Sequence, residues 1–295
     1  MRPCVIANPV ARGMRRVGGE GLRTLCGPGT AIRWTSAAGE ARALAAAAVR
    51  EGFDLLVAAG GDGTVNEVLN GIGDVPGGFE RVRLGVLPLG TANVWARERG
   101  LDLDLVRAWE RLREGRERRV DLPWAEWQEG GAAGRRFFVQ LAGAGWDALA
   151  IERVRAGWKR WLGPWAYVWA GWEALQAGCP PVTARLDEVC MSGPWVLVGN
   201  GRFYGGPFEL FPGASAEDGW LDVCVVPRLT LGIAVCGGLS VLLRRRLPGR
   251  WVRRGRTRRL ELSSESPVPF EVDGERAGRT PVTFGLAPGA LRVAV

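Results

Sequence analysis

The stretch between Asp54 and Ile72 constrains the fold of this chain more than any other. Its apolar run, Leu55–Ala59, has the length of a buried strand and breaks directly into a glycine-rich turn. Apolar residues then recur with helical spacing, which places them on one helix face. They are Val65, Val68, Leu69 and Ile72. Thr64 and Glu67 have the spacing of a capping box, which predicts that the helix begins at Thr64.

The turn itself, residues 60–64, is typical of an anion site. A helix N-terminus presents free N–H groups and a positive dipole end, and three glycines let the backbone approach phosphate oxygens closely. Asp62 would repel a phosphate unless a cation lay between them, so we expect it to act through Mg²⁺. A tight strand–helix turn with a solvated aspartate remains the alternative. The Rossmann fingerprint and the P-loop both fail, because Asn66 replaces the third glycine and the turn contains no lysine.

Composition excludes several kinds of chemistry. The 295 residues include no histidine, which removes Ser-His-Asp and Cys-His catalysis and histidine metal sites. The six cysteines form no C-x-x-C pair, so we expect buried, reduced thiols. The net charge of +8 is carried almost entirely by arginine and favours anionic partners, whether nucleotide, membrane surface or nucleic acid. No apolar run reaches the roughly 18 residues of a membrane span, and we expect no targeting leader.

Strands and helices alternate along the first 120 residues, which predicts a parallel, doubly wound sheet. The glycine turn at Gly60 and a second one at Gly90 both follow strands, so they are expected to converge on one nucleotide at the carboxyl edge. The segment 10–19 is expected to be an Arg- and Gly-rich loop, either a second phosphate edge or simple surface. The other predicted strands are Pro3–Pro9, Ala31–Thr35 and Val82–Leu87, and the predicted helices are Gly39–Glu51, Val94–Arg99 and Leu103–Gly115.

From Pro123 onwards the pattern changes to strands with Gly and Pro punctuation, which predicts a second, mainly antiparallel domain with inserted helices. One helical insertion, Trp146–Ala177, carries five tryptophans at helical spacing, either a core stripe or an apolar slot for acyl chains. An apolar helix at Leu229–Leu243 runs into an arginine cluster at 244–259, suited to anionic headgroups. The predicted strands are Phe137–Ala142, Val182–Leu186, Trp195–Asn200, Leu221–Val226, Leu260–Ser263, Val268–Val272, Val282–Leu286 and Leu291–Val295.

Four sequence blocks, in order, resemble the diacylglycerol kinase catalytic-domain family, in its bacterial lipid-kinase branch related to sphingosine kinases. The blocks are Asn8-Pro9, GGDGTVNEV at 60–68, PLGTANVWAR at 88–97, and DGWLD at 218–222 followed by VDGE at 272–275. NAD kinases and phosphofructokinases share only the shorter GGDG core. The resemblance implies a doubly wound nucleotide-binding domain over 1–122, to which the last strand, about 287–295, returns. It also implies a β-sandwich lipid-binding domain over 123–286, with a lipid cleft between the two.

The resemblance further implies transfer of the ATP γ-phosphate to a lipid hydroxyl with Mg²⁺. Glu275 would be the general base, with Asp273 beside it and Asp62 as a further catalytic acid. The metal would be held by Asp218 and the backbone carbonyls of Ser215 and Trp220. The implied nucleotide contacts are Asn8, Pro9, Thr35, Gly60, Gly61, Asp62, Gly63, Thr64, Val65, Asn66, Glu67, Gly90, Thr91 and Asn93.

Chemistry agrees with these roles, because phosphoryl transfer depends on positioning and charge neutralisation, and a lipid alcohol needs a base. Without histidine and with one lysine, that base must be Asp or Glu. Asp273-Gly274 is also expected to form a two-residue hairpin turn that presents Glu275. The chain departs from the family at Val94, where many members carry an aspartate of a carboxylate network; Asp62 and Asp121 remain as its members.

We therefore expect an ATP- and Mg²⁺-dependent lipid kinase that is cytoplasmic and peripheral at the inner membrane face. Its expected partners are a lipid substrate and anionic headgroups, with no nucleic acid and with a homodimer left open. Two alternatives remain: a soluble-metabolite kinase of the NAD kinase type, and a non-catalytic basic binder of membranes or nucleic acid.

Overall fold

The structure is a computed structural model that describes residues 1–153, 165–204, 208–234 and 249–295. The chain divides into two compact units. The first contains residues 1–122 and 287–295, and the second contains residues 123–286. Among the described residues, no helix is both long and apolar enough to cross a bilayer.

The first unit is built on parallel strands. They are β1 Pro3–Ala7, β2 Ala31–Trp34, β3 Leu55–Gly60 and β4 Arg83–Pro88. The sheet order is β2-β1-β3-β4, and Val293 of the last strand pairs in parallel with Leu84. The predicted parallel α/β sheet is confirmed. All six residues of β3 are buried, as its uninterrupted apolar run indicates for a central strand.

Six helices accompany this sheet. They are α1 Met14–Cys26, α2 Glu40–Arg50, α3 Asp62–Gly73, α4 Gly78–Arg81, α5 Val94–Glu98 and α6 Leu105–Glu114. The predicted apolar face of α3 is confirmed, since its four apolar residues are at most 2% exposed. Helix α2 crosses α3 so closely that a Cβ on Gly71 would lie 2.2 Å from the Arg42 carbonyl oxygen.

The predicted capping box at the start of α3 is wrong. The helix begins at Asp62, and no side chain caps it. Thr64 is turned towards the strand end, where a Cβ on Gly60 would lie 2.3 Å from its hydroxyl oxygen. Glu67 instead accepts the N–H groups of Gly39 at 2.9 Å and Ala41 at 3.0 Å. Its carboxylate therefore satisfies the free N-terminal amides of α2, which has no side-chain cap.

The loop predicted for residues 10–19 is also wrong from Met14 onwards, where α1 begins. Met14, Leu22 and Cys26 are buried at helical spacing. The glycines between them obscure that spacing in the sequence, and Gly18 has a left-handed φ of 69° that kinks the helix.

The second unit is mainly antiparallel. Its helices are α7 Trp146–Arg153 and α8 Trp165–Gln176, with a 3₁₀ turn at Gly249–Trp251. Its strands up to the Trp195 strand are β5 Glu117–Glu129, β6 Ala132–Phe137, β7 Leu141–Gly145, β8 Val182–Leu186, β9 Val189–Gly193 and β10 Trp195–Gly199. The remaining strands are β11 Phe203–Tyr204, β12 Phe208–Glu209, β13 Leu221–Val226, β14 Arg253–Thr257, β15 Arg259–Ser263, β16 Pro269–Val272, β17 Glu275–Arg279 and β18 Val282–Ala294. Of these strands, β5 begins in the first unit and β18 ends in it.

Two sheets of this unit enclose one apolar core, which confirms the predicted β-sandwich with inserted helices. One sheet has the order β14-β13-β10-β7-β16-β17, and the other contains β18, β15, β8 and β9. Phe270 and Phe284 meet edge to face in that core at 5.9 Å, and Trp127 meets Phe270 at 5.2 Å. Such edge-to-face pairs place positive ring edges on negative ring faces.

Three strand and burial predictions need correction. The strand predicted over Phe137–Ala142 is broken between β6 and β7, because the Asp273 carboxylate accepts the N–H groups there. The two strands predicted at the C-terminus are one strand, β18. Cys190 is exposed on the outermost strand β9 of its sheet, although Cys4, Cys26 and Cys224 are buried as expected.

Part of the predicted insertion is helical, in α7 and α8. The Trp146 ring meets Trp195 edge to face at 5.0 Å, whereas Trp172 is 38% exposed. Trp158 and Trp161 lie outside the described residues, as does most of the apolar helix predicted at Leu229–Leu243, of which residues 231–234 are described and helical.

Candidate active site

The two glycine turns of the first unit meet backbone to backbone. A Cβ on Gly90 would lie 2.4 Å from the Cα of Gly61, a distance that no real Cβ contact allows. Leu89 donates its N–H to the Gly60 carbonyl oxygen at 2.9 Å. The carboxyl ends of β3 and β4 therefore carry one continuous glycine surface, in which no side chain separates Gly61 from Gly90.

The segment after β1 joins the same edge. Asn8 donates its backbone N–H to Ala59 at 3.0 Å and its side-chain amide to the Thr64 hydroxyl at 3.4 Å. Its Oδ1 accepts the Val10 N–H at 3.0 Å, with Pro9 exposed between them. Thr35 is buried after β2, and its N–H donates to Ala7 at 3.0 Å. The structure thus brings Asn8, Pro9 and Thr35 to the edge that carries the glycine turns.

Asp62 links the two turns. It is the first residue of α3, and its Oδ1 accepts the Trp95 N–H of α5 at 3.2 Å. Burial raises the pKa of the Asp62 carboxyl, while the backbone N–H groups of Trp95 and Val94 act to lower it. Val94, at the start of α5, is buried. The backbone at 94–95 thus faces the Asp62 carboxylate at the start of α5.

Asn93 fixes the shape of the second turn. It has a left-handed φ of 48°, and its Oδ1 accepts the Gly90 N–H at 2.9 Å. Its amide donates to the carbonyl oxygens of Pro88 at 3.3 Å and Gly90 at 3.2 Å. Thr91 is exposed at the tip. Asn93 therefore stabilises the conformation of the turn through its side-chain hydrogen bonds, and Thr91 offers an exposed hydroxyl.

Three sequence-predicted nucleotide contacts point into the protein instead. Val65 is 2% exposed and Asn66 is 1% exposed. The Asn66 oxygens accept from the Asn70 amide at 2.8 and 3.2 Å. Glu67 is bound to the start of α2, as described above. These side chains hold α3 in place beneath the turn formed by Gly61 and Gly63.

In the second unit, Asp273 and Gly274 form a tight hairpin turn between β16 and β17. Their φ angles are 48° and 83°, both in the left-handed region that a two-residue type I′ turn requires. The Asp273 carboxylate accepts N–H groups from Val139 at 2.9 Å, Gln140 at 3.0 Å and Leu141 at 3.1 Å. Asp273 therefore clamps the β6–β7 connection to the turn.

Glu275 follows that turn with its side chain 46% exposed and forms an ion pair with Arg136 of β6. Arg136 was not predicted from the sequence, because nothing local distinguishes it from the other exposed arginines. The structure also places two buried acids near this hairpin, Asp147 and Glu271. The signal for Glu271 was present: a carboxylate inside the apolar run VPFEV cannot be solvated in a strand.

Asp218 lies in a turn before β13. Its Oδ1 accepts the Trp220 N–H at 3.1 Å, and Arg256 forms ion pairs with both Asp218 and Asp222. Ser215 accepts the Glu217 N–H at 3.2 Å. Burial raises the pKa of Asp222, whose Oδ2 has no hydrogen-bond partner among the described residues.

A hard cation fits the oxygen donors of this turn, since Asp222 offers a buried carboxylate oxygen beside Asp218. Arg256 would have to release Asp218 for that ion. Across the described ranges, no group of three or more Asp, Glu, Cys or His side chains is arranged to hold a metal. Backbone carbonyls would therefore have to complete the set, as the resemblance implies for Ser215 and Trp220.

Part of the predicted arginine cluster lies on β14 and β15 and in the residues beside them, and this part is exposed. Its described members are Arg250, Arg253, Arg254, Arg256, Arg258 and Arg259. Arg258 lies over the ring of Trp220, which is 37% exposed, and Arg250 lies over Trp251. Arg244, Arg245 and Arg246 lie outside the described residues.

Comparison with known families and proteins covers both units. The family described as the diacylglycerol kinase catalytic domain matches residues 3–125. The family described as the YegS C-terminal NAD kinase beta sandwich-like domain matches residues 140–295.

Individual relatives match over most of their length. A diacylglycerol kinase of Staphylococcus saprophyticus is 31% identical over 255 residues, covering 85% of this chain and 79% of the relative. A Pseudomonas savastanoi pv. phaseolicola protein named "Probable lipid kinase YegS-like" is 32% identical over 278 residues, covering 89% and 82%. The solved structure of a Bacillus anthracis diacylglycerol kinase has a TM-score of 0.70 at 21% identity and covers 99% of this chain and 96% of that one. At that identity the structural likeness concerns the fold.

Proposed function

Because this chain belongs to the diacylglycerol kinase catalytic-domain family, we propose that it transfers the γ-phosphate of ATP to the hydroxyl of a lipid, with Mg²⁺. The resemblance drawn from the four sequence blocks is confirmed at the level of the family. The relatives named as diacylglycerol or lipid kinases support a kinase acting on lipid. The single observation that carries the proposal is the pair of glycine turns in backbone contact at Gly61 and Gly90.

ATP is proposed to bind along this glycine surface. Amides of residues 61–64 and of Thr91 would donate to phosphate oxygens, and the N-terminus of α3 would add its dipole. Asn8 and Thr35 lie at the same edge and would complete the nucleotide contacts. Positioning of this kind is most of what phosphoryl transfer requires from a protein.

Glu275 is proposed as the general base. A lipid alcohol is a poor acid, so a carboxylate within hydrogen-bond reach of its hydroxyl takes up the proton as the new O–P bond forms. Asp273 is less suited to that role, because its carboxylate already accepts three backbone N–H groups. Glu275 is half exposed, and Arg136 orients its carboxylate.

Mg²⁺ would be held near the phosphates by Asp62, and a second ion would be held by Asp218 and Asp222 with the carbonyls of Ser215 and Trp220. When bound, Mg²⁺ neutralises phosphate charge that this arginine-rich but lysine-poor chain would otherwise have to balance. The unpartnered Asp222 oxygen supports the second site.

Soluble-metabolite kinase activity is the second candidate. The matched C-terminal family carries NAD kinase in its description, which favours testing NAD as acceptor. The two functions differ in whether a lipid must be present.

The proposal is tested by incubating the purified chain with γ-labelled ATP, Mg²⁺ and detergent micelles of four lipids in turn: diacylglycerol, a sphingoid base, phosphatidylglycerol and a polyprenol. NAD without lipid forms the parallel arm. We expect label in a lipid product and none after EDTA treatment. In the Asp218→Asn variant, the Mg²⁺-dependent rise in melting temperature should shrink, while the exposed Glu188→Gln control keeps it. Label in NAD, or in no acceptor, would reject the lipid kinase proposal.

A further inference from the structure

Two acids that the proposed chemistry does not use are buried beside the hairpin that carries Glu275. Glu271, on β16, is 0% exposed, and Asp147, on α7, is 5% exposed. One oxygen of each, Glu271 Oε1 and Asp147 Oδ2, has no hydrogen-bond partner among the residues that the structure describes. A buried carboxylate oxygen without a partner is costly, so these two oxygens need an explanation.

The two side chains face each other across a glycine. Glu271 pairs with Gly143 between β16 and β7, so both residues point to the same side of the sheet. A Cβ on Gly143 would lie 2.4 Å from Asp147 Oδ2. The Asp147 carboxyl therefore occupies the place that a side chain at position 143 would take, next to Glu271.

Electrostatics makes a doubly ionised pair unfavourable. Burial raises the pKa of Asp147 to about 6, although the Trp195 side chain and the Ala148 N–H act to lower it. Burial also raises the pKa of Glu271 well above its ordinary value. The Asp147 charge raises the pKa of Glu271 further, as does Asp273, while Arg136 lowers it. On the other side, the Cys179 thiol faces Asp147, and Arg153 of α7 acts on the same thiol. Because the Asp147 charge acts on a desolvated Glu271, the pair holds at least one proton at neutral pH.

This pair is connected to the proposed base through the backbone. Glu271 Oε2 accepts the N–H of Gly274 at 2.6 Å. Gly274 is the left-handed residue of the turn and directly precedes Glu275. The position of the Glu271 carboxyl therefore sets the position of the turn from which Glu275 extends.

We propose that Asp147 and Glu271 share one proton in the working protein and that this pair is a positioning device for Glu275. The shared proton forms an O–H···O⁻ hydrogen bond between the two carboxyls, which leaves the other Glu271 oxygen on the Gly274 amide. Loss of that proton leaves two adjacent buried charges, which must separate or admit water, and the turn moves with Glu271. The inference rests on the proposed function only in that Glu275 is taken as the base.

The Glu271→Gln variant distinguishes proton sharing with Asp147 from a purely space-filling role of the Glu271 side chain. Its amide N–H can donate permanently to Asp147, while its oxygen accepts the Gly274 N–H. Glu271→Gln should therefore restore most of the turnover that Glu271→Ala loses. In the wild-type chain the rate should fall at alkaline pH as the last proton leaves the pair, and in Glu271→Gln this alkaline fall should disappear. Glu261→Gln, on the exposed face of β15, is the matched control and should keep the wild-type profile.

A second readout does not need catalysis. Both acids have folded-state pKa values above their unfolded values of about 4, so their protonated forms stabilise the fold. The stabilisation is complete below pH 4 and is lost as pH rises through about 6 for Asp147 and higher for Glu271. The urea midpoint of the wild-type chain should fall over that range, and in Glu271→Gln this fall should be smaller.

The outcomes are distinguishable. An alkaline limb at the same pH in Glu271→Gln and the wild-type chain would overturn the shared proton, and so would identical pH dependence of their urea midpoints. Absence of lipid phosphorylation by the wild-type chain would instead count against the proposed function, and the urea series would still decide the pair.

Discussion

Single glycines decide whether the two turns of the first unit can approach each other. Gly61 and Gly90 belong to turns after two different strands, and their backbones are in contact. A side chain at either position would separate the turns or cover the amides. The sequence predicted that these turns converge because both follow parallel strands of one sheet. It could not predict that the Asp62 carboxylate accepts the Trp95 N–H, because almost any residue at position 95 would offer the same backbone donor.

Gly90→Ala tests this contact. The added Cβ would meet backbone atoms of Gly61, which cannot rotate away, so the two turns must shift. Overpacking of this kind costs about 1–3 kcal/mol. We expect a lower unfolding midpoint in urea and weaker ATP binding by calorimetry.

Gly19→Ala in α1 is the matched control. A Cβ there would meet the Trp34 ring at an ordinary 3.6 Å, and alanine favours a helix interior over glycine by about 1 kcal/mol. This variant should be as stable as the wild-type chain or more so. Unchanged ATP affinity in Gly90→Ala would show that the glycine contact is not part of a nucleotide site.

Among the elements, the apolar strand β3 and the strands of the sandwich could be predicted from the sequence. The spacing of their apolar residues depends only on which faces of the strand are buried. The features that the sequence misjudged depend on partners far along the chain. The spacing of Glu67 predicted a cap of its own helix α3, but its carboxylate accepts backbone N–H groups at the start of α2. Residues 138–140 have a strand-like pattern, yet the Asp273 carboxylate accepts the N–H groups of Val139 and Gln140, which therefore do not pair with a neighbouring strand. No local pattern encodes either partner.

Strands β14 and β15 and the residues beside them present exposed arginines that we propose to contact anionic headgroups, with Trp220 exposed beside Arg258. Each basic residue near such a surface contributes about 1 kcal/mol. Replacing Arg250, Arg253 and Arg258 by alanine should therefore weaken binding to vesicles containing phosphatidylglycerol by roughly 100-fold in co-sedimentation, since about 3 kcal/mol corresponds to two decades.

The matched control replaces three exposed arginines of the first unit, Arg50, Arg107 and Arg113, which leaves the net charge of the two triple variants equal. Equal loss of vesicle binding in both variants would mean that overall charge, and not this surface, attracts the membrane.

For the whole molecule, we propose that the first unit binds the phosphate donor and that the second unit carries the base. The domain types were predictable from the change of period at Pro123, and the family followed from four short blocks. The sequence did not reveal that the carboxylates at positions 271, 273 and 275 have different roles. Asp273 clamps the backbone, Glu271 lies buried with Asp147, and Glu275 alone is half exposed. Identical carboxylates acquire different roles from their surroundings.

The most direct measurement compares label transfer from γ-labelled ATP to lipid by the wild-type chain, Asp62→Asn, Glu275→Gln and the exposed Glu261→Gln control, with ATP binding measured in parallel. We predict that Glu275→Gln binds ATP with wild-type affinity but transfers label about 100-fold more slowly or worse, as expected for loss of a general base. Asp62→Asn should stay folded, because its amide oxygen still accepts the Trp95 N–H, and should lose transfer. Wild-type transfer by folded Glu275→Gln would contradict the account.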